Sequence, residues 1–253
     1  MTETPRSGLR HGARRAWNAL RRVRRGLPPA GAAVSPEVPN DLFQAHLSLY
    51  LFCSEWARGK SVLDLGCGTG YGSARLLADG AEAVAGIDPD ARSVAYARRR
   101  FGRGVAFHAG TLAPLPADLG TFDLEVAIDA LPRTKDPGAA LADWKRHLEP
   151  GGALVASLPP ILDGQTLALH QRLQRRPGER SHLYLWDWQS LLGEHFRTLR
   201  LFRHLPPAGP LPDFADPWPS RLDPAAFRFE ELPPAEIYDV GSLTAIFVCK
   251  DPA

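Results

Sequence analysis

Residues 61–77 read SVLDLGCGTGYGSARLL, and this stretch decides the fold of the chain. An apolar strand that carries Asp64 runs into a glycine-dense turn, which leads into a helix of small residues. Glycine permits such a turn and lets the backbone approach a ligand closely. A strand, a glycine-rich turn and a helix N-terminus together offer backbone N–H groups to a nucleotide-like ligand. The alternative interpretation is a tight strand-to-helix turn that binds nothing.

The spacing of the glycines narrows the kind of ligand. Counting from Gly66, the dinucleotide pattern G-x-G-x-x-G fails at its last position, where Tyr71 stands. What remains is G-x-G-x-G with Asp64 two residues ahead, which resembles the first motif of class I S-adenosylmethionine-dependent methyltransferases. A nicotinamide-dependent oxidoreductase is a competing class, although the missing glycine counts against it. The resemblance implies that S-adenosylmethionine is the cofactor and that five residues of the loop hold it: Asp64, Gly66, Cys67, Gly68 and Gly70.

A second apolar run, AVAGIDPD, places Asp88 at the end of the next strand. Its two carboxylate oxygens can accept hydrogen bonds from both hydroxyls of a ribose, each worth roughly 1.5 to 3 kcal/mol. The alternative is a helix cap, but Asp90, which follows Pro89, is better placed to cap the next helix. We therefore expect Asp88 to bind the ribose of the cofactor.

Two positions depart from the family pattern. The third apolar stretch, GVAFHAG, ends at Thr111, where the family often has an acidic residue that contacts the adenine amino group. Thr111 can still accept one hydrogen bond there. After the fourth strand, many relatives with small-molecule substrates have a Glu-His pair, and this chain has Pro132 and Arg133. The resemblance extends over residues 60–159.

The resemblance implies an α/β fold: a Rossmann-like seven-stranded sheet, mostly parallel, with helices on both faces and an antiparallel last strand. SLTAIFVCK alternates as that closing strand should. A length of 253 residues, 44% apolar, fits one core. We expect residues 1–35 to form an arm and linker and residues 36–253 a methyltransferase domain, with a lid region near 159–186. Nine prolines near 204–241 indicate an irregular insertion beside the pocket mouth.

The segment NDLFQAHLSLYLFCSEWARGK is predicted to form one helix that leads into the first strand. It resembles the corresponding part of bacterial methyltransferases associated with glycan pathways, in which a His, a Tyr and a Phe recur, here His46, Tyr50 and Phe52. Those relatives have an arginine where this chain has Leu49. Tyr50 is predicted to cover the methionine end of the cofactor, and an ordinary core tyrosine is the alternative.

Substrates of open parallel sheets bind beyond the carboxyl ends of the strands. Asp129, just after the fourth strand, is therefore expected to approach the reacting centre. His182 resembles a histidine that small-molecule relatives place before their last helix, and its imidazole can take a proton near neutral pH. A surface or capping histidine is the alternative. We predict methyl transfer to an oxygen or nitrogen of a small molecule or glycan, with His182 and Asp129 as catalytic candidates. The departures at Thr111 and at Pro132 and Arg133 leave a non-catalytic cofactor-binding partner protein as the alternative function.

Arginine is concentrated at the start of the chain. Before Pro28 there are eight arginines and a single acidic residue, Glu3. Apolar residues recur there at helical spacing from Leu9 to Val23, so a helix would have an apolar stripe edged by guanidinium groups. We predict peripheral contact with a membrane or another polyanion, and a solvated basic tail is the alternative. PPAGAAVSPEVP then serves as the linker.

The remaining composition restricts the class of protein. A net charge of +2 is too small to indicate nucleic acid as the bulk substrate. No apolar run approaches the roughly 18 residues of a transmembrane segment, so we expect a cytoplasmic protein, with contact at the inner membrane surface. Three scattered cysteines have neither metal-ligand nor disulfide spacing and are expected to be buried apolar residues: Cys53, Cys67 and Cys249.

Overall fold

The computed structural model describes residues 34–173, 183–209, 211–214, 218–239 and 241–253. The arginine-rich arm and His182 therefore lie outside the described residues. Within these ranges the strands form one eight-stranded sheet in the order β3-β2-β1-β4-β5-β8-β6-β7. The strands are β1 (Ser61–Leu65), β2 (Ala83–Asp88), β3 (Val105–Ala109), β4 (Phe122–Ile128), β5 (Leu148–Leu158), β6 (Phe196–Leu205), β7 (Arg228–Leu232) and β8 (Ala245–Pro252).

Helices cover both faces of the sheet, as predicted. The described helices are α1 (Asp41–Ala57), α2 (Tyr71–Ala78), α3 (Ala91–Phe101), α4 (Pro137–Trp144), α5 (Gly164–Leu173) and α6 (Leu185–His195). Cys53, Leu76 and Val94 from α1, α2 and α3 belong to one buried apolar cluster. Trp144 and Trp188 from α4 and α6 belong to a second cluster on the other face. The burial of two separate apolar faces is what holds the sheet between its helices.

The sheet topology confirms the Rossmann-like prediction and corrects the strand count. Strands β1 to β5 are mutually parallel, and β8 is antiparallel to both β5 and β6. The predicted seven strands are eight, because the proline-rich insertion contains the short edge strand β7, which pairs antiparallel with β6. Ion pairs across this edge join Arg200 to Glu231 at 2.7 Å and Arg203 to Glu230 at 2.6 Å. Because these charged side chains interrupt the apolar alternation that is typical of a strand, the sequence did not predict β7.

The remainder of the insertion packs against the start of α1. The Asp41 carboxylate accepts hydrogen bonds from the backbone N–H of Asp213, at 2.8 Å, and from the hydroxyl of Ser220. The Ser220 N–H donates to the Pro39 carbonyl at 2.7 Å. The insertion is thus fixed to the segment that enters α1.

The described residues also test two smaller predictions. Cys53, Cys67 and Cys249 are buried and unpaired, as expected. Across the part of the chain that the structure describes, no helix combines the length and the apolar character needed to cross a membrane.

Candidate functional site

A cavity of about 780 Å³ opens at the carboxyl ends of the parallel strands. It lies where the chain order reverses between β1 and β4, which is the usual binding position in an open α/β sheet. Seven of the ten predicted cofactor-binding and catalytic residues line this cavity: Tyr50, Gly66, Cys67, Gly68, Asp88, Thr111 and Asp129. Residues distant in sequence therefore meet at one place.

The glycine loop forms the floor of the cavity. Gly66 and Gly68 have φ values of +77° and +53°, which few other residues adopt. A Cβ at Gly66 would lie 3.0 Å from the Cβ of Ala130, so the loop and the residue after β4 are in close contact. A Cβ at Gly68 would come no closer than 4.0 Å to its nearest neighbour, the Gly66 carbonyl oxygen. The space beside Gly68 is thus open to a ligand that approaches the backbone.

Gly70 has a different role from the other two glycines. A Cβ there would lie 2.7 Å from both Ala97 and Phe107, and Gly70 does not line the cavity. Its small size lets α2 begin directly against α3 and β3. Gly70 was predicted to help seat the cofactor; the structure places it in the packing behind the loop, so this role stays a prediction.

Asp88, at the end of β2, connects the loop to the next helix. One carboxylate oxygen accepts from the Gly68 N–H at 2.9 Å, and the other accepts from the Asp90 N–H at 2.8 Å. Each oxygen retains capacity for a further hydrogen bond. Burial raises the pKa of Asp88, while the two backbone donors and Arg133 lower it. Asp90 caps α3, as predicted, by accepting from the Arg92 N–H at 3.2 Å.

Asp64 lies beneath the cavity and is fully buried. Its carboxylate accepts from the Ser73 hydroxyl at 2.5 Å and from the Tyr50 hydroxyl at 3.2 Å. Burial raises the pKa of Asp64 to about 7, against the lowering effect of these two hydrogen bonds. Asp64 therefore ties α1 and α2 to the end of β1 and does not itself line the cavity.

The loop after β3 forms another wall. The Thr111 hydroxyl donates to the Pro114 carbonyl at 2.6 Å, which leaves its oxygen able to accept a hydrogen bond. The Leu112 carbonyl accepts from the indole N–H of Trp144 at 2.6 Å, and the Leu115 N–H donates to Asp143 at 2.6 Å. This loop is thus fixed to α4 directly after Thr111.

The segment after β4 faces the glycine loop. Asp129 has φ +54°, an uncommon backbone conformation that Asp tolerates better than most residues. Its N–H donates to the Ser157 hydroxyl at 2.8 Å. Arg133 binds Asp129 twice, through Nε to the carbonyl and through Nη2 to the carboxylate, both at 2.9 Å. The guanidinium is therefore held at the cavity wall.

Some cavity residues were not predicted to be there. His46 and Tyr71 line the cavity, and Tyr71 packs on Tyr50 with ring centroids 5.6 Å apart. Tyr71 was read only as the residue that breaks the dinucleotide pattern, since one sequence gives no direction for its side chain. The parts of the predicted lid whose side chains the structure describes, residues 159–168 and 183–186, contribute nothing to the cavity lining. His182 is not described, so its role stays a prediction.

Comparison with known proteins identifies the domain. Residues 62–152, which run from β1 into β5, match a family model described as a methyltransferase domain. The fold resembles the solved structure of a possible histamine N-methyltransferase from Thermotoga maritima, with a TM-score of 0.59 and 19% identity over 82% of this chain and 91% of that one. Residues 62–152 are therefore similar to a methyltransferase domain, and the described residues have the fold of a solved methyltransferase.

Two relatives by sequence extend the comparison. A probable S-adenosylmethionine-dependent methyltransferase of Mycolicibacterium smegmatis is 35% identical over 135 residues, which is 53% of this chain and 52% of that protein. A tRNA U34 carboxymethyltransferase of Hydrogenovibrio crunogenus is 36% identical over 115 residues, 43% of this chain and 35% of that protein. The chain thus spans about half the length of the first relative and about a third of the second. S-adenosylmethionine is the cofactor of the class, and the open space at Gly68 and the carboxylate of Asp88 fit it.

Proposed function

We propose that this protein transfers the methyl group of S-adenosylmethionine to an oxygen or nitrogen of a small molecule or sugar. The observation that carries the proposal is the single cavity that joins the glycine loop, Asp88 and the segment after β4. Residues 36–253 would act as one methyltransferase domain. The same cavity would serve a cofactor-binding protein without catalysis, so turnover of an acceptor separates the two functions.

Each wall of the cavity has a proposed role. The backbone of Gly66, Cys67 and Gly68 approaches the cofactor, and Asp88 accepts from its ribose hydroxyls. Thr111 accepts one hydrogen bond from the adenine. Tyr50 forms part of the wall at the methionine end and keeps Asp64 in place behind it.

Catalysis by this chain would consist mainly of alignment. The bound cofactor supplies an already activated methyl group on its sulfonium sulfur. The residues of the chain hold the acceptor in line with that methyl group, an effect that can contribute roughly 7 to 11 kcal/mol. Asp129, at the cavity wall, and His182 are the candidates for taking a proton from the acceptor where one must leave.

Calorimetric titration with S-adenosylhomocysteine tests the cofactor site. Asp88→Asn removes the charge that strengthens the ribose hydrogen bonds, so the affinity should fall about 10- to 100-fold, the equivalent of roughly 1.5 to 3 kcal/mol. The exposed Asp118 provides the matched control, since Asp118→Asn makes the same chemical change away from the cavity. Equal affinity in Asp88→Asn and Asp118→Asn would contradict the proposed role.

The acceptor is tested by turnover. Wild-type protein and isotope-labelled S-adenosylmethionine are incubated with small amines, hydroxylated metabolites, sugars and total tRNA. Total tRNA is included because one relative is named a tRNA U34 carboxymethyltransferase. Label transfer to a small molecule or sugar is the expected result, and transfer to tRNA alone would overturn the proposed substrate class.

We also propose that the arginine-rich arm contacts anionic lipid surfaces. Its eight arginines and its apolar stripe are the combination that holds an amphipathic helix on such a surface. Full-length protein and a variant with all eight arginines replaced by glutamine would be sedimented with vesicles of phosphatidylcholine, with and without phosphatidylglycerol. Binding that needs both phosphatidylglycerol and the arginines is expected, and equal pelleting of the two proteins would contradict it.

A further inference from the structure

The methionine part of the cofactor carries a carboxylate, and the cavity must offer it a partner. A carboxylate removed from water is costly unless it is paired with a positive charge and hydrogen-bonded. The glycan-pathway relatives have an arginine before the tyrosine of α1, and this chain has Leu49, which is 5% exposed. Leu49 carries no charge and does not line the cavity, so a positively charged partner has to come from the residues that do.

Three long basic side chains of the described residues line the cavity: Arg133, Lys135 and Arg146. Arg146 follows α4, which begins at the site and runs back toward the start of β5, and it is paired with Asp143. Lys135 is exposed at the rim. Arg133 follows Ala130, the residue that would touch a Cβ on Gly66 at 3.0 Å. Of the three, Arg133 is the nearest in sequence to this contact with the glycine loop.

The orientation of Arg133 is fixed by its contacts with Asp129. Its Nε and Nη2 bind the Asp129 carbonyl and carboxylate at 2.9 Å each, so one edge of the planar guanidinium is used. Nη1 makes no hydrogen bond within the described residues. The second edge, formed by Nη1 and Nη2, therefore presents parallel N–H groups, the geometry that binds a carboxylate in two places. The side chain is 39% exposed.

The charge around Arg133 agrees with this role. Burial raises the pKa of Asp88, and the Arg133 guanidinium is near enough to oppose that rise. Arg133 is thus hydrogen-bonded to Asp129 after β4 and is close enough to Asp88 to affect its charge. The ribose and the methionine chain are joined directly in the cofactor, so a group beside Asp88 is within reach of the methionine end.

We infer that Arg133 binds the methionine carboxylate of S-adenosylmethionine through its Nη1–Nη2 edge. The inference rests on the proposed function, because it assumes that the cavity holds this cofactor. Arg133 is then a binding residue of the cofactor site. In the sequence, Arg133 is only a departure from the Glu-His pair of relatives. The structure gives this position a proposed role in cofactor binding.

The test compares two ligands that differ only in the carboxylate: S-adenosylmethionine and decarboxylated S-adenosylmethionine. Calorimetric dissociation constants are measured for wild type, Arg133→Met, Arg133→Lys and the control Arg103→Met, which makes the same change at an exposed arginine outside the cavity lining. Arg133→Met should weaken S-adenosylmethionine binding about 10- to 100-fold and leave the decarboxylated ligand unchanged. The affinity of Arg133→Lys for S-adenosylmethionine should lie between those of wild type and Arg133→Met, because lysine retains the charge without the two parallel N–H donors of the guanidinium. Arg103→Met should match wild type with both ligands.

The outcomes separate this inference from the proposed function. If the wild type binds neither ligand, the proposed function fails. If it binds both and Arg133→Met weakens them equally, Arg133 acts on the shape of the loop, and the inference is overturned. Unchanged binding of S-adenosylmethionine by Arg133→Met overturns it as well. Retained binding of the decarboxylated ligand shows that the variant is folded.

Discussion

Glu125 is a fully buried residue of β4, and both of its carboxyl oxygens lack a hydrogen-bond partner within the described residues. Burial raises its pKa well above the usual value, and the nearby Asp143 raises it further. Because the folded-state pKa is raised, Glu125 contributes most favourably below its unfolded pKa of about 4.3. That contribution is lost as the pH rises toward the folded-state pKa.

Replacing Glu125 with a side chain of similar length and no charge should therefore stabilise the protein. Glu125→Met removes the cost of an unsatisfied buried carboxyl, and we expect a gain of about 1 to 3 kcal/mol near neutral pH. The gain should shrink toward about pH 4, where the wild-type carboxyl is protonated in both states. Urea unfolding at several pH values measures it, with the exposed Glu82→Met as control. A destabilised variant at neutral pH would contradict the argument.

At the scale of single residues, the sequence predicted which residues belong to the candidate site better than it predicted the neighbours of each residue. Asp88 and the loop glycines were found because strand, glycines and a following acid are close together in sequence. The burial of Asp64 under Tyr50 could not be predicted, since it depends on how α1 packs on α2. The isolation of Glu125 is likewise a property of the folded neighbours, because FDLEVAI reads only as a strand.

The contact between α1 and α2 depends on one glycine. A Cβ on Gly72 would lie 2.0 Å from the ring of Tyr50, which is buried and hydrogen-bonded to Asp64. The ring has no room to move, so the two helices would have to separate. Gly72 thus sets the distance at which α1 covers the glycine loop.

Gly72→Ala should destabilise the protein by about 1 to 3 kcal/mol, despite the better helix propensity of alanine. It should also weaken binding of S-adenosylhomocysteine, because Tyr50 forms part of the cavity wall. Gly164→Ala is the control, since a Cβ at that position of α5 meets nothing within 4 Å. Thermal unfolding and calorimetry measure the two effects. If the two variants behaved alike, the close approach of Tyr50 would not be limiting.

At the scale of elements, local pattern predicted most of the sheet. The helix before β1, the strand–turn–helix at the glycine loop and the antiparallel β8 were all expected and are present. The strand β7 was missed because its sequence, RFEEL, has charges where an apolar strand pattern is expected. Its place is decided by pairing with β6, and partners distant in sequence are not visible in a local pattern.

At the scale of the whole molecule, His204 connects three distant parts of the chain. Its Nε2 lies 2.9 Å from the Ser48 hydroxyl on α1, and its ring stacks on Phe229 and Phe227 of the insertion. The Ser48 hydroxyl donates to the Ala45 carbonyl at 2.7 Å, so the ring must donate to Ser48. The imidazole is thus held neutral where α1, β6 and the insertion meet.

Burial lowers the pKa of His204 to about 3, and His46 adds to the effect. A lowered folded-state pKa means that the contribution to stability is complete above the unfolded pKa of about 6.5. It is lost as the pH falls from there toward 3. Asp64, with a pKa raised to about 7, and Glu125 act in the opposite direction over part of this range. The pH dependence of the wild-type free energy of unfolding therefore does not isolate the contribution of His204.

The difference in the free energy of unfolding between wild type and His204→Gln isolates the contribution of His204, because the contributions of Asp64 and Glu125 are common to both proteins and cancel. Each pH unit in which the unfolded state binds one extra proton changes the free energy of unfolding by about 1.4 kcal/mol. The advantage of wild type over His204→Gln should therefore shrink by about 2 kcal/mol between about pH 6.5 and pH 5. Urea unfolding at the two pH values measures it. A constant difference would mean that His204 titrates normally in the folded protein and that the junction of α1, β6 and the insertion is open to water.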